Sequence, residues 1–93
     1  MRVSDYIAKR LVEFGVRHVF MLTGGGAMFL NYALGKHSKL KSIFNHHEQA
    51  SAMAAEGYAR ITGQPAVVNV TTGPGSINTL NGIYGAYTDS IPM

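Results

Sequence analysis

Three short apolar segments, Val16–Leu22, Leu40–Asn45 and Pro65–Val70, recur along these 93 residues, and each gives way to a stretch with helical spacing. Strand, crossover helix, strand is the pattern of a parallel sheet with right-handed connections and helices on both faces. The last segment shows no strict in–out alternation, as expected for a strand covered on both sides. A leading helix is read from Ser4 as its N-cap, with Tyr6, Ile7, Leu11 and Phe14 at helical spacing and Gly15 as a left-handed terminus. Three more helices are predicted: Ala27 to Leu34 closed by Gly35, Glu48 to Ile61 ended by Gly63, and Ser76 to Tyr87. Ile91-Pro92-Met93 reads as the start of another strand. The expected class is α/β with three layers, and the break at that point reads as the N-terminal part of a domain, a fragment spanning 1–93.

Composition removes several classes of function. With 46% hydrophobic and 14% charged residues the chain is globular rather than disordered. It has no cysteine, which excludes disulfides and thiolate chemistry and suits a reducing compartment. The first residues lack the apolar core of a signal peptide, Asp5 argues against a transit peptide, and no stretch approaches the ~20 apolar residues of a membrane span. A cytoplasmic protein without a membrane partner is expected. The net charge of +3 raises the question of nucleic acid, but the basic residues are scattered. Only Lys36, His37, Lys39 and Lys41 lie close together, as a solvated loop would, so no nucleic-acid partner is expected.

In an open parallel sheet, ligands bind beyond the carboxyl ends of the strands. Topology alone therefore gathers three junctions, at 23–26, 46–48 and 71–75, on one rim. Glu48 is one of only five acids in the chain. Its plain reading is a first-turn acid complementing the helix dipole, worth ~0.3–1 kcal/mol. Its functional reading is a carboxylate placed for chemistry. Thr72-Gly73-Pro74-Gly75-Ser76 turns into a helix whose free N–H groups favour an anion or polar ring atoms, though such glycines also serve turn geometry alone. Neither glycine loop spells a dinucleotide fingerprint or a P-loop. Glu56 and Arg60, four apart, read as an exposed ion pair. His46 and His47 point to opposite sides of an extended segment, which suits no shared metal, and no metal site is expected.

The linked spelling His47-Glu48-Gln49, Ala54-Ala55-Glu56-Gly57-Tyr58-Ala59-Arg60, Thr71-Thr72-Gly73-Pro74-Gly75-Ser76-Ile77-Asn78 and Asp89-Ser90-Ile91-Pro92 resembles the N-terminal pyrimidine-binding domain of thiamine diphosphate-dependent enzymes. The nearest group is acetolactate synthase-like, and the resemblance spans essentially the whole chain. It implies the flavodoxin-like, three-layer thiamine diphosphate-binding fold and an enzyme acting on a 2-keto acid by decarboxylation or carboligation. It implies that Glu48 is the catalytic acid, hydrogen-bonded to N1′ of the cofactor's aminopyrimidine. The 4′-amino group is thereby pushed toward the imino form that accepts the thiazolium C2 proton. Pro74, Gly75 and Asn78 would lie near the pyrimidine ring, and Gly24 and Gly25 would line the substrate side. Thr23 stands where the family often has proline and Gly26 adds a third glycine, a departure that leaves the substrate subclass open.

The same resemblance implies a homo-oligomer, dimer or tetramer, with a site shared between subunits. Mg²⁺ and the diphosphate would be held by a separate domain with a Gly-Asp-Gly…Asn motif that this sequence lacks, so the 93 residues alone are expected to be inactive. Ala50, Ala52, Ala54, Ala55 and Ala59 suit close helix packing, at a subunit interface or within the chain. Two other readings remain open at the level of sequence: a non-catalytic binding or dimerisation module with the same fold, and a nucleotide-binding βα domain using the Gly73–Ser76 turn.

Overall fold

The computed structural model describes all 93 residues as nine elements in the order α1 (Val3–Glu13), β1 (His18–Met21), a 3-10 turn (Gly25–Ala27), α2 (Met28–Lys36), β2 (Lys41–Phe44), α3 (Glu48–Thr62), β3 (Val67–Asn69), α4 (Pro74–Ile77) and α5 (Leu80–Thr88). The strands form one parallel sheet in the order β2-β1-β3. This is the α/β architecture that the strand–helix alternation predicts.

Alternation along β1 builds the layers. Val19 and Met21 are buried in a cluster with Ala8, Val16, Ala33, Leu34 and Leu40, which is the α1–α2 side. Phe20 points the other way, into Ala55, Ala59 and Ala66 beneath α3. Tyr58 closes that side, its ring 5.8 Å from Phe20 and its hydroxyl 3.3 Å from His18 Nδ1.

Small residues bring α3 and α5 together. A Cβ added to Gly82 would stand 2.5 Å from the Ala52 methyl, and one on Gly85 would stand 2.9 Å from Glu56 Oε1. The buried alanines 52, 55 and 59 thus pack within the chain, while Ala50 stays exposed. Arg60 pairs with Glu56 at 2.9 Å and also with Asp89, so the expected i,i+4 pair is a three-residue link from α3 to the end of α5.

Several local expectations are corrected. Arg2, not Ser4, is the N-cap of α1, and Ser4 lies inside the helix. Tyr6 and Phe14 are 53% and 64% exposed, while Ala8 is buried and Leu11 and Val12 pack on the core. The contact of α1 with α2 selects the small residue and turns the aromatic positions outward. Gly35 does not close α2, which runs on to Lys36 with His37 as its C-cap. The single helix expected from Ser76 to Tyr87 is split into α4 and α5 at Asn78–Thr79, where Thr79 Oγ1 donates to the Ser76 carbonyl at 2.6 Å. Residues 91–93 form no strand: Ala66 N–H donates to the Pro92 carbonyl at 3.0 Å, and Ile91 and Met93 pack against the Phe20 cluster. By contrast, Gly15 and Gly63 terminate α1 and α3 at φ of 92° and 69°, as the sequence predicts.

The strands end level, Met21 lying opposite both Phe44 and Asn69. All three following loops therefore leave one rim. Lys41, opposite His18 at the start of β2, places the basic cluster at the other end of the sheet.

Candidate functional site

The rim site begins at the first residue of α3. Asn45 and His47 fix that start: Asn45 N–H donates to the Met21 carbonyl at 3.1 Å, and Asn45 Oδ1 accepts from the buried Ser51 hydroxyl at 3.0 Å. His47 is the N-cap, its Nδ1 accepting from Gln49 N–H at 3.1 Å. Glu48 follows half-buried, with its carboxylate over the rim. Its Oε2 accepts from Asn78 Nδ2 at 3.3 Å, and its Oε1 stands 3.3 Å from where a Cβ on Gly75 would be. None of the ion pairs of the molecule includes it.

Two opposing influences act on this carboxyl group. Its own backbone N–H and the Asn78 amide favour the charged form, burial opposes it, and His47 adds a favourable charge. The balance lowers its pKa from the ordinary glutamate value, which favours the anion in the protein alone.

The turn facing Glu48 depends on two glycines. Gly73 has φ 67° and ψ −132°, a conformation that needs glycine, and serves as N-cap of α4. Pro74 occupies the first turn of that helix, exposed. Gly75 is buried, and a side chain there would meet Thr71 Cγ2 at 2.8 Å before reaching Glu48. Ser76 locks the turn by donating its hydroxyl to the Thr71 carbonyl at 2.6 Å.

Thr71 links this edge to the first glycine loop. A Cβ on Gly24 would lie 2.5 Å from Thr71 Cβ, and one on Gly26 would lie 2.9 Å from Thr71 Oγ1 and 2.8 Å from Thr72 Oγ1. Gly24 is itself extended, so closeness rather than dihedral angle demands glycine. Gly25 is exposed with nothing within 4 Å of its would-be Cβ. The structure thus joins Glu48, Gly75 and Asn78 directly, connects Gly24 to them through Thr71, and leaves Pro74 and Gly25 at the surface.

Asn31 and Asn69 were not anticipated as members of this neighbourhood. Asn69 ends β3, is only 7% exposed, and donates to Asn31 Oδ1 at 2.6 Å. The one available signal was an amide within each of two otherwise apolar runs. No group of three or more histidine or acidic side chains that could hold a metal is present, and no helix is long and apolar enough to cross a membrane.

Comparison with known proteins gives the family of the chain. The family model described as "Thiamine pyrophosphate enzyme, N-terminal TPP binding domain" matches residues 1–93. The acetolactate synthase large subunit of Buchnera aphidicola subsp. Acyrthosiphon pisum is 40% identical over 90 residues, covering 97% of this chain and 16% of that protein. The chloroplastic acetolactate synthase 2 of Nicotiana tabacum is 41% identical over 90 residues, covering 97% and 14%. The large subunit from Haemophilus influenzae is 40% identical over 90 residues, covering 97% and 16%. The chain spans about a seventh of the length of these curated relatives, 14–16% of each.

Proposed function

The chain belongs to the thiamine pyrophosphate enzyme family as an N-terminal TPP-binding domain, and on that premise we propose that its rim holds the aminopyrimidine of thiamine diphosphate in an enzyme that decarboxylates or joins 2-keto acids, as acetolactate synthases do. The observation that carries this reading is the meeting of Glu48, Gly75 and Asn78 across 30 residues of sequence. These residues fit the group. A carboxylate without a cation partner can take a proton from, or share one with, a ring nitrogen. Gly75 leaves Oε1 uncovered, and Asn78 holds Oε2 in place.

Bound thiamine diphosphate supplies the electron sink for breaking or forming a bond beside a keto carbon. The share of this chain is proton handling and placement. Glu48, ionised in the protein alone, holds a proton at Oε1 once a ring nitrogen is presented there and water is excluded, since burial of the carboxylate raises its pKa. Asn78 orients the carboxylate, Pro74 and Gly75 shape the turn beside it, and Gly24 and Gly25 line the substrate side. Mg²⁺ and the diphosphate are assigned to other parts of the enzyme, which we place in the cytoplasm as a homo-oligomer whose second subunit completes the site.

Calorimetry of the enzyme carrying this domain, with thiamine diphosphate and Mg²⁺, tests the reading together with Glu48→Gln. Saturable heat is expected for both proteins, with turnover of a 2-keto acid reduced by about 100-fold or more in the variant. No heat in the parent would instead identify a non-catalytic module. Unchanged turnover on Glu48→Gln would remove Glu48 from the chemistry.

A further inference from the structure

We propose that the amide pair of half-buried Asn31 and buried Asn69 is a positioning device for the glycine loop 24–26, setting how that loop meets the substrate. The inference rests on the reading of that loop as the substrate side of the site. Asn69 Nδ2 donates to Asn31 Oδ1 at 2.6 Å, and Asn31 Nδ2 donates in turn to the Gly24 carbonyl at 3.5 Å. The same carbonyl accepts the Ala27 N–H at 3.1 Å, which closes the 3-10 turn. A path of hydrogen bonds therefore runs from the end of β3, through α2, to the first residue of the loop.

Stability does not explain the pair. A buried amide is costly unless satisfied, and replacing two such partners by apolar groups of similar shape is close to neutral. An apolar residue at the end of β3 would serve the core as well. What the pair adds is a fixed point for a loop that has little else to fix it. Three successive glycines carry the largest backbone entropy to be lost on ordering. A Cβ on Gly25 would meet nothing within 4 Å, and those on Gly24 and Gly26 would meet Thr71 and Thr72. A cavity of about 540 Å³, with Gly26, Ala27, Thr71 and Thr72 among its walls, opens beside the loop. Thr71 and Thr72 crowd the loop at Gly24 and Gly26, and the amide pair holds it at the Gly24 carbonyl.

The cofactor edge is separately held. Glu48 is fixed by Asn78 and by the cap at His47, neither of which involves Asn31 or Asn69. Thr71 is the one side chain that touches both edges, so a loss at the pair is expected to fall chiefly on the substrate side.

The test uses the enzyme carrying this domain with Asn31→Ala and, against the chance that a cavity unfolds it, the double variant Asn31→Leu/Asn69→Leu. Amide hydrogen exchange without ligand is expected to quicken about tenfold at Ala27, the worth of one hydrogen bond, with Val19 to Met21 of β1 unchanged. KM for the 2-keto acid is expected to rise about tenfold, with thiamine diphosphate affinity within about twofold of the parent. Unchanged exchange at Ala27, or equal acceleration in β1, overturns the positioning role. Faster exchange with an unchanged KM, or a loss confined to cofactor affinity, overturns its link to substrate. The exchange measurement needs no ligand, so it decides the clamp even if the enzyme binds no thiamine diphosphate and the functional reading fails.

Discussion

Asn78 gives its side-chain N–H to Glu48 Oε2 at 3.3 Å, tying the residue that follows α4 to the first residue of α3. The donated bond favours the ionised carboxylate, second only to the backbone N–H of Glu48 itself. Asn78→Ala removes that preference and moves the pKa of Glu48 upward. Titration of the Glu48 carboxyl in the cofactor-free protein, followed by ¹³C NMR, is expected to move to higher pH in the variant. Asn78→Asp brings a like charge and is expected to move it further in the same direction.

Gly82→Ala pits two effects against each other. A helix interior favours alanine over glycine by ~1 kcal/mol. Here the new methyl would lie 2.5 Å from Ala52 Cβ and 2.8 Å from its carbonyl carbon, and backbone cannot step aside as a flexible side chain can. Overpacking costs about 1–3 kcal/mol, so net destabilisation is expected. A thermal melt should show a lower midpoint, with faster amide exchange along α3 and α5.

Gly35→Ala should do the opposite. This glycine lies inside α2, is exposed, and has nothing within 4 Å of a would-be Cβ. The substitution is expected to stabilise by about 0.5–1 kcal/mol, measured as a higher midpoint in urea with an unchanged slope.

Asp5 ties α1 to α2 through Lys36 at 2.9 Å and receives Arg2 at 3.1 Å. Lys36 first and Arg2 second pull its pKa from 3.8 to about 2. A depressed carboxyl pKa stabilises the fold above its unfolded value and loses that contribution as pH falls through the folded one. Asp5→Asn is therefore expected to melt lower than the parent at pH 6. The gap should hold down to about pH 4 and close as pH approaches 2.

The features legible in sequence are those governed by neighbours along the chain. The start of α3 at Glu48 and the glycine ends at Gly15 and Gly63 follow from dihedral and capping rules. The apolar strands, and the order in which they alternate with helices, sufficed to place the three junctions on one rim. Features set by register escaped. Asn31 and Asn69 meet across 38 residues only because β3 lies beside β1, and no local rule marks the two as partners. Tyr6 and Phe14 satisfy helical spacing, yet α2 selects Ala8 for the inner face. At the break between α4 and α5 both the hydroxyl and the backbone N–H of Thr79 turn back to the Ser76 carbonyl.

Thr71 has a consequence for anyone reshaping this protein. Its Cβ sits against Gly24, its hydroxyl against Gly26 and its methyl against Gly75. One side chain thus serves as the gauge block for two loops drawn from different parts of the sequence. Grafting either loop from a relative while keeping this residue, or exchanging this residue alone, changes the fit of both. The transplantable unit is the pair of loops together with the threonine between them.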